Sequence, residues 1–126
     1  MPRSSKVTPP RAVGSQNHLQ TVRKIALALP GVEEGTSYGT PAFRVAKKFI
    51  ARLWEDGETL VIRIDVAHRE ILIAADPATF FITDHYRNYP AILVRLAVVH
   101  PAQLRDLIEE SWRRSAPKKL VGSPRS

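Results

Sequence analysis

Apolar residues Leu19, Val22, Ala26 and Leu29 recur along one helical face, with Ile25 beside them. A polar side chain at Ser15 to Asn17 suits the helix start, and Pro30-Gly31 stops the run. Residues 31–41, GVEEGTSYGTP, show no such period and read as a Gly-rich loop. The period then changes to two: Phe43 and Val45 alternate with Arg44 in a first strand. A tight turn at Lys47-Lys48 leads to a second strand over 49–54. The sequence EDGE at 55–58 turns the chain into a third, where Leu60, Ile62 and Ile64 alternate with Val61 and Arg63. Asp65 is placed to cap a second helix over 66–75, ended by Asp76-Pro77. TFFIT at 79–83 reads as a fourth strand and 92–99 as a fifth. Pro101 opens a third helix, whose stripe is Leu104, Leu107, Ile108 and Trp112.

The order is therefore α-β-β-β-α-β-β-α. It implies a two-layer α+β domain with a mostly antiparallel five-stranded sheet and helices on one face. The other face is expected to meet solvent. Side-chain parity assigns residues to that face. Arg44, Arg63 and Arg95 fall opposite the apolar positions of their strands. The second strand is ambiguous, since either Phe49, Ala51 and Leu53 or Ile50, Arg52 and Trp54 could face the core. A buried unpaired charge is costly, so Arg52 and Trp54 are assigned outward. Two readings of this face stay open. Arg44, Arg52, Arg63 and Arg95 beside Trp54, with Lys47 and Lys48 at the turn, could bind phosphates or other anions. Alternatively, the arginines pair with Glu55, Glu58 or other acids across the sheet, each pair contributing little.

Charge qualifies that picture. The chain of 126 residues carries a formal charge of +7. Residues 1–14 and 113–126 contain only basic charges, whereas 15–112 hold 11 basic and 12 acidic residues. The expected division is a basic disordered tail over 1–14, one domain over 15–117 and a second basic tail over 118–126. Such tails could tether a phosphate polymer or serve only solubility. No stretch approaches the ~20 apolar residues of a membrane span. The opening MPRSSKVTPPRAVGS lacks the apolar core of a signal peptide, so a cytoplasmic, membrane-free protein is expected.

The absence of cysteine excludes disulfides and thiolate metal sites. His18, His68, His85 and His100 have no metal-ligand spacing, so neither metal nor cofactor is expected. Ser37, Asp84 and His85 supply triad residue types without a nucleophile elbow. The glycines at 31, 35 and 39 do not form a phosphate loop. No catalytic constellation emerges, and a non-enzymatic role is expected. The most unusual stretch is DHYRNYP at 84–90, which carries far more chemistry than a turn requires. Tyr86, Tyr89 and Pro90 are expected to pack it against the sheet edge. That leaves His85 and Arg87 free to act outward.

The runs LPGVEEGTSYGTPAFRV, FIARLWEDGETLVIRID and ADPATFFITDHYRNYPAILVRL resemble the MmcQ/YjbR family of small bacterial proteins. The resemblance covers about residues 19–120, and the final APKKL fits it too. It implies the same α-β-β-β-α-β-β-α order, similar to secretion-chaperone-like domains. It also implies a DNA-binding label without catalytic residues. Two departures stand out: His100 replaces a frequent Asp before Pro101, and the basic N-terminal extension lies outside the likeness. The leading expectation is low-specificity DNA binding through the arginine-lined face and the HYRNYP loop. The alternative is a small anionic ligand or peptide held in a cleft between the GTSYGTP and HYRNYP loops. There Tyr38, His85, Tyr86, Arg87 and Tyr89 would supply the contacts.

Overall fold

A computed structural model of the chain describes residues 10–121. Helix α1 spans Pro10–Leu27 and is followed by three hairpin-linked strands, β1 (Val32–Ser37), β2 (Thr40–Val45) and β3 (Lys48–Leu53), then β4 (Thr59–Arg63). Helix α2 (Val66–Ala75), the short β5 (Phe80–Phe81), a 3₁₀ turn (Asp84–Tyr86) and β6 (Ala91–Arg95) come next. Helix α3 (Pro101–Ser115) and one further turn, α4 (Lys118–Val121), complete the described chain. The strands form one sheet in the order β1-β2-β3-β4-β6-β5, antiparallel at every pairing. The α+β class and two-layer plan stand as expected.

The sheet has six strands where five were expected, because 31–41 is not simply a loop. Its VEEGTS segment is the edge strand β1, exposed along most of its length. An edge strand that buries little needs no apolar alternation, so periodicity is silent there. Glu34 anchors it: Arg23 Nε donates to Oε1 at 2.8 Å and Nη2 to Oε2 at 2.8 Å, joining α1 to β1. That carboxylate hydrogen bond raises the Arg23 pKa above its ordinary value, against partial desolvation.

Other boundaries also move. α1 begins at Pro10, ahead of Ser15–Asn17, so 10–14 is helical and not part of a tail. At the other end, Lys118–Val121 forms α4, and Leu120 and Val121 pack on the core. The remainder of both expected tails, 1–9 and 122–126, lies outside the described residues. The β2–β3 turn falls at Ala46-Lys47, one residue before Lys47-Lys48. Both residues have positive φ, 50° and 69°, the hand that matches strand twist. The TFFIT strand shrinks to Phe80–Phe81, and the last strand stops at Arg95.

Caps are supplied by side chains. Asp65 Oδ2 accepts from the Ala67 and His68 amides at the start of α2. At the start of α3 the cap is His100, whose Nδ1 accepts from the Ala102 amide at 3.1 Å. The His100 ring nitrogen thus caps α3 as the Asp65 carboxylate caps α2.

The main core lies between the sheet and helices α1 and α3. Its largest fully buried side chains include Trp112, Phe43 and Phe80. Trp112 Nε1 donates to the Pro30 carbonyl at 2.8 Å, which fixes the end of α1. The ambiguity in the second strand has a physical cause. Pairing jumps from Phe43–Ala51 to Arg44–Phe49, leaving Ile50 as an extra residue in β3. Ile50 and Ala51 both join the main core, while Phe49 packs on the other face. A bulge breaks alternation, so neither strict parity pattern applies. Beyond it, Arg52 pairs with Val61 and lies on the face away from α1 and α3, as assigned.

The bulge exposes the Ile50 carbonyl to α3, where buried Ser111 Oγ donates to it at 3.1 Å. Ser111→Ala removes the donor and leaves a buried acceptor unpaired. We expect a loss of about 1–2 kcal/mol in stability by urea denaturation. An unchanged midpoint would show that the bulge does not depend on this bond.

Candidate binding cleft

The second sheet face is not open. A smaller apolar cluster covers part of it, made of Val61, Tyr86, Ala91 and Leu93 with Phe49, Trp54, Phe81 and Ile82 packed against them. Tyr86 comes from the DHYRNYP segment, which folds back over the sheet. What holds it there is Arg69 of α2, a residue with 4% exposure. Its Nη1 donates to the carbonyls of Tyr89 at 2.9 Å and Ala91 at 3.2 Å, with Tyr86 O at 3.5 Å. Nη2 donates to Arg87 O at 3.3 Å, and Nε to Glu70 Oε2 at 3.1 Å. One guanidinium thus binds four carbonyls between Tyr86 and Ala91.

The side chain of Tyr86 meets a second buried guanidinium. Arg52, 5% exposed, donates to the Tyr86 hydroxyl from Nε at 3.2 Å and from Nη2 at 3.0 Å. Its Nη1 donates to Thr40 Oγ1 at 3.0 Å and to the Leu53 carbonyl. Thr40 Oγ1 in turn donates to the Ser37 carbonyl at 2.9 Å across the β1–β2 turn. Glu55, largely exposed, stands 3.7 Å from Arg52 Nη2, too far for a hydrogen bond. The expectation that Arg52 reaches solvent is therefore corrected. It lies on the expected face but under Tyr86, because the phenol hydroxyl and two backbone-linked oxygens satisfy most of its donors.

Around this guanidinium lies a cleft of about 220 Å³ lined by Tyr38, Arg52, Trp54, Glu55, His85 and Tyr86. It sits between the β1–β2 turn and the DHYRNYP loop. Tyr38, 78% exposed, holds φ of 53°, followed by Gly39 at 80°. A left-handed tyrosine costs roughly 1–2 kcal/mol. The two-residue turn it forms places the ring with its centroid 5.1 Å from the Arg52 guanidinium carbon. His85 packs edge-on to Tyr86 at 4.7 Å. Trp54 is braced by Phe81 at 6.5 Å, and Arg95 lies over Phe81 at 4.1 Å.

The expected arginine stripe is thus divided. Arg44 is half-buried opposite Glu33, its Nη1 passing near Gly35. Arg95 is exposed, but it is stacked on Phe81 and bonded to the carbonyls of Pro77 and Ala78. Arg63 is exposed on the far side of Tyr86. There it lines a separate cleft of about 300 Å³ with Phe49, Tyr86, Tyr89, Pro90 and Ala91. Lys47 and Lys48 are exposed at the opposite end of β2 from Tyr38. Arg87 pairs with Asp84 at 2.7 Å and joins neither cleft. Sequence reasoning missed Arg69 and Thr40 as parts of the assembly, whereas Glu55 was foreseen as an acid beside these arginines. Arg69 had a signal: it shares a helical face with Leu72 and Ile73, where a charge is out of place. Among the described residues, no helix is long and apolar enough to cross a membrane.

A model of the YjbR family matches residues 27–114. The chain belongs to the YjbR family. It is also 42% identical over 66 residues to uncharacterized proteins of Mycobacterium bovis and Mycobacterium tuberculosis. That match covers 52% of this chain, and the chain spans about half the length of these relatives. The crystal structure of Deinococcus radiodurans protein DR2400, with its DUF419 domain, has the same fold. Its TM-score is 0.68 at 21% identity, over 86% of this chain and 90% of that one. In this YjbR domain every residue lining the cleft falls within the matched region.

Arg69→Ala should release the loop while leaving the sheet intact. Amide exchange at Tyr86, Arg87, Tyr89 and Ala91 should rise at least tenfold, with little change at Leu60 and Ile62. Uniform acceleration across the sheet would instead make Arg69 a general core residue.

Proposed function

We propose that this YjbR domain is a non-catalytic binding module whose cleft takes a small anionic ligand with a flat, unsaturated part. The observation that carries this reading is the convergence of three aromatic rings and an imidazole on one nearly buried guanidinium. Arg52 brings a full positive charge to the base of the cleft, and the carboxylate beside it, Glu55, is 3.7 Å away and largely exposed to solvent. An incoming carboxylate or phosphate oxygen could take the donor capacity that Glu55 does not use. Tyr38, Trp54 and His85 offer faces and edges to a planar group. The volume of about 220 Å³ is below the ~300 Å³ at the small end of ligand sites, which favours a compact ligand.

A panel of aromatic carboxylates and phosphates, followed by thermal shift and Trp54 fluorescence, tests this. At least one should give saturable stabilisation. Tyr38→Ala and His85→Ala, both at exposed positions, should weaken it by roughly tenfold without unfolding the protein. A flat panel, or binding indifferent to both substitutions, would reject the cleft.

One arrangement supports a second reading, binding of a nucleic acid. Arg63 and the Lys47-Lys48 tip are exposed, and Arg44 and Arg95 share their sheet face. If these three arginines met phosphates, log K against log salt would slope by about −2.7. Single- and double-stranded DNA titrated at two salt concentrations decides this. A slope near zero, or no binding at low salt, removes the polymer.

A further inference from the structure

Arg63 stands where two clefts meet. On one side is the apolar cleft of about 300 Å³ that it shares with Phe49, Tyr89 and Pro90. On the other is a cleft of about 390 Å³ at the end of β4, where Arg63 and Pro90 recur beside Asp65, Ser111 and Arg114. We infer that the two form one further binding site, for an aryl oxyanion: its charged head between Arg63 and Arg114, its ring against Tyr89, Pro90 and Phe49. The site lies across Tyr86 from the cleft around Arg52 and does not depend on that cleft being occupied.

Charge complementarity is the first argument. Among the described residues Arg63 makes no hydrogen bond and no ion pair. Its cross-strand partner is Ala91, which offers no acid. Arg114 reaches Asp65 Oδ1 only at 3.8 Å, beyond hydrogen-bonding range. The other oxygen of Asp65 is engaged in capping α2. Two guanidiniums therefore face one partly committed carboxylate, an imbalance that an oxyanion corrects by accepting paired N–H donors. Ser111 adds little to this, because its hydroxyl is directed to Ile50.

Apolar exposure is the second argument. Tyr89 is 57% exposed, although its backbone is held by Arg69. An aromatic side chain on a fixed backbone, beside an exposed proline and a half-buried phenylalanine, is a preformed wall with little left to order on binding. A bare anion would leave that wall wet, and a neutral ring would leave the arginines unpaired. The adjoining features together select a ligand carrying both.

Two-dimensional ¹H–¹⁵N NMR with phenyl phosphate, benzoate and inorganic phosphate tests this. The aryl phosphate should shift Arg63, Tyr89, Ala91 and Arg114 saturably, and Arg63→Ala should weaken it roughly tenfold or more. Inorganic phosphate should bind at least about tenfold more weakly, since it lacks the ring. Comparison with benzoate tells whether the site prefers a tetrahedral or a planar head. Tyr38→Ala should leave these shifts unchanged, which separates this site from the cleft around Arg52. The inference is overturned if shifts are confined to Tyr38, Trp54 and His85. It is equally overturned if Arg63→Ala and Arg114→Ala both bind as the parent does, or if inorganic phosphate matches phenyl phosphate.

Discussion

A single buried guanidinium decides what the second face of this sheet looks like. Arg69 projects from α2 into a position where a charge would be costly if left unmatched. The DHYRNYP loop and the start of β6 resolve that cost by turning carbonyl oxygens of Tyr86, Arg87, Tyr89 and Ala91 toward it. The dependence is mutual. The carbonyls of Tyr86 and Tyr89 also accept from the amides of Tyr89 and Ala91, so the guanidinium adds a second donor to a backbone that already turns on itself and ties it to α2. A lysine has three donors on one nitrogen and could not span the group in the same way.

Once the loop backbone is fixed, the side chain of Tyr86 has little choice of direction. Its hydroxyl meets Arg52, which in turn reaches Thr40 and, through it, the turn that carries Tyr38. A continuous chain of polar contacts therefore runs from α2, through the loop, across the sheet and into the β1–β2 turn. Two arginines hold Tyr86, one by its backbone and one by its hydroxyl. The phenol ring becomes a partition between two clefts on a face that would otherwise be a shallow surface. On the proposed reading, that partition is what favours small molecules over a polymer.

Most of the scaffold could be read from the chain, because α1, α3 and the central strands each bury a repeating apolar stripe. What escaped the reading did so for identifiable reasons. β1 is an exposed edge with no stripe to betray it. Ile50 is an extra residue, and one extra residue is enough to defeat a period of two. Parity placed Arg52 on the correct face, but parity reports direction and not depth, and depth was set by a loop 34 residues away. Tyr38, His85 and Tyr86 were legible as candidates because tyrosines and histidine exceed what a turn needs. Their meeting in a cleft between the two loops was carried only as an alternative, since it rests on a contact between Arg52 and Tyr86 that no local pattern encodes. Arg69 was the one legible clue to that contact, a charge on the buried stripe of an otherwise ordinary helix.

The same contacts bear on how selective the Arg52 cleft can be. Binding sites lose affinity when their polar groups must be desolvated and ordered at the moment of association. Here Arg52 is already stripped of water and held by the Tyr86 hydroxyl, Thr40 and the Leu53 carbonyl. Tyr38 is already held in a left-handed conformation by a turn that its neighbours close. The costs of desolvation and backbone strain are thus met in folding and do not recur on binding. As a binding site, such a cleft would discriminate by what a ligand fails to provide. On the proposed reading, a neutral molecule would leave the remaining guanidinium donor with only Glu55 at 3.7 Å, whereas an oxyanion would complete the set. Selection for charge would follow from burial at the base, and selection for flatness from the aromatic walls.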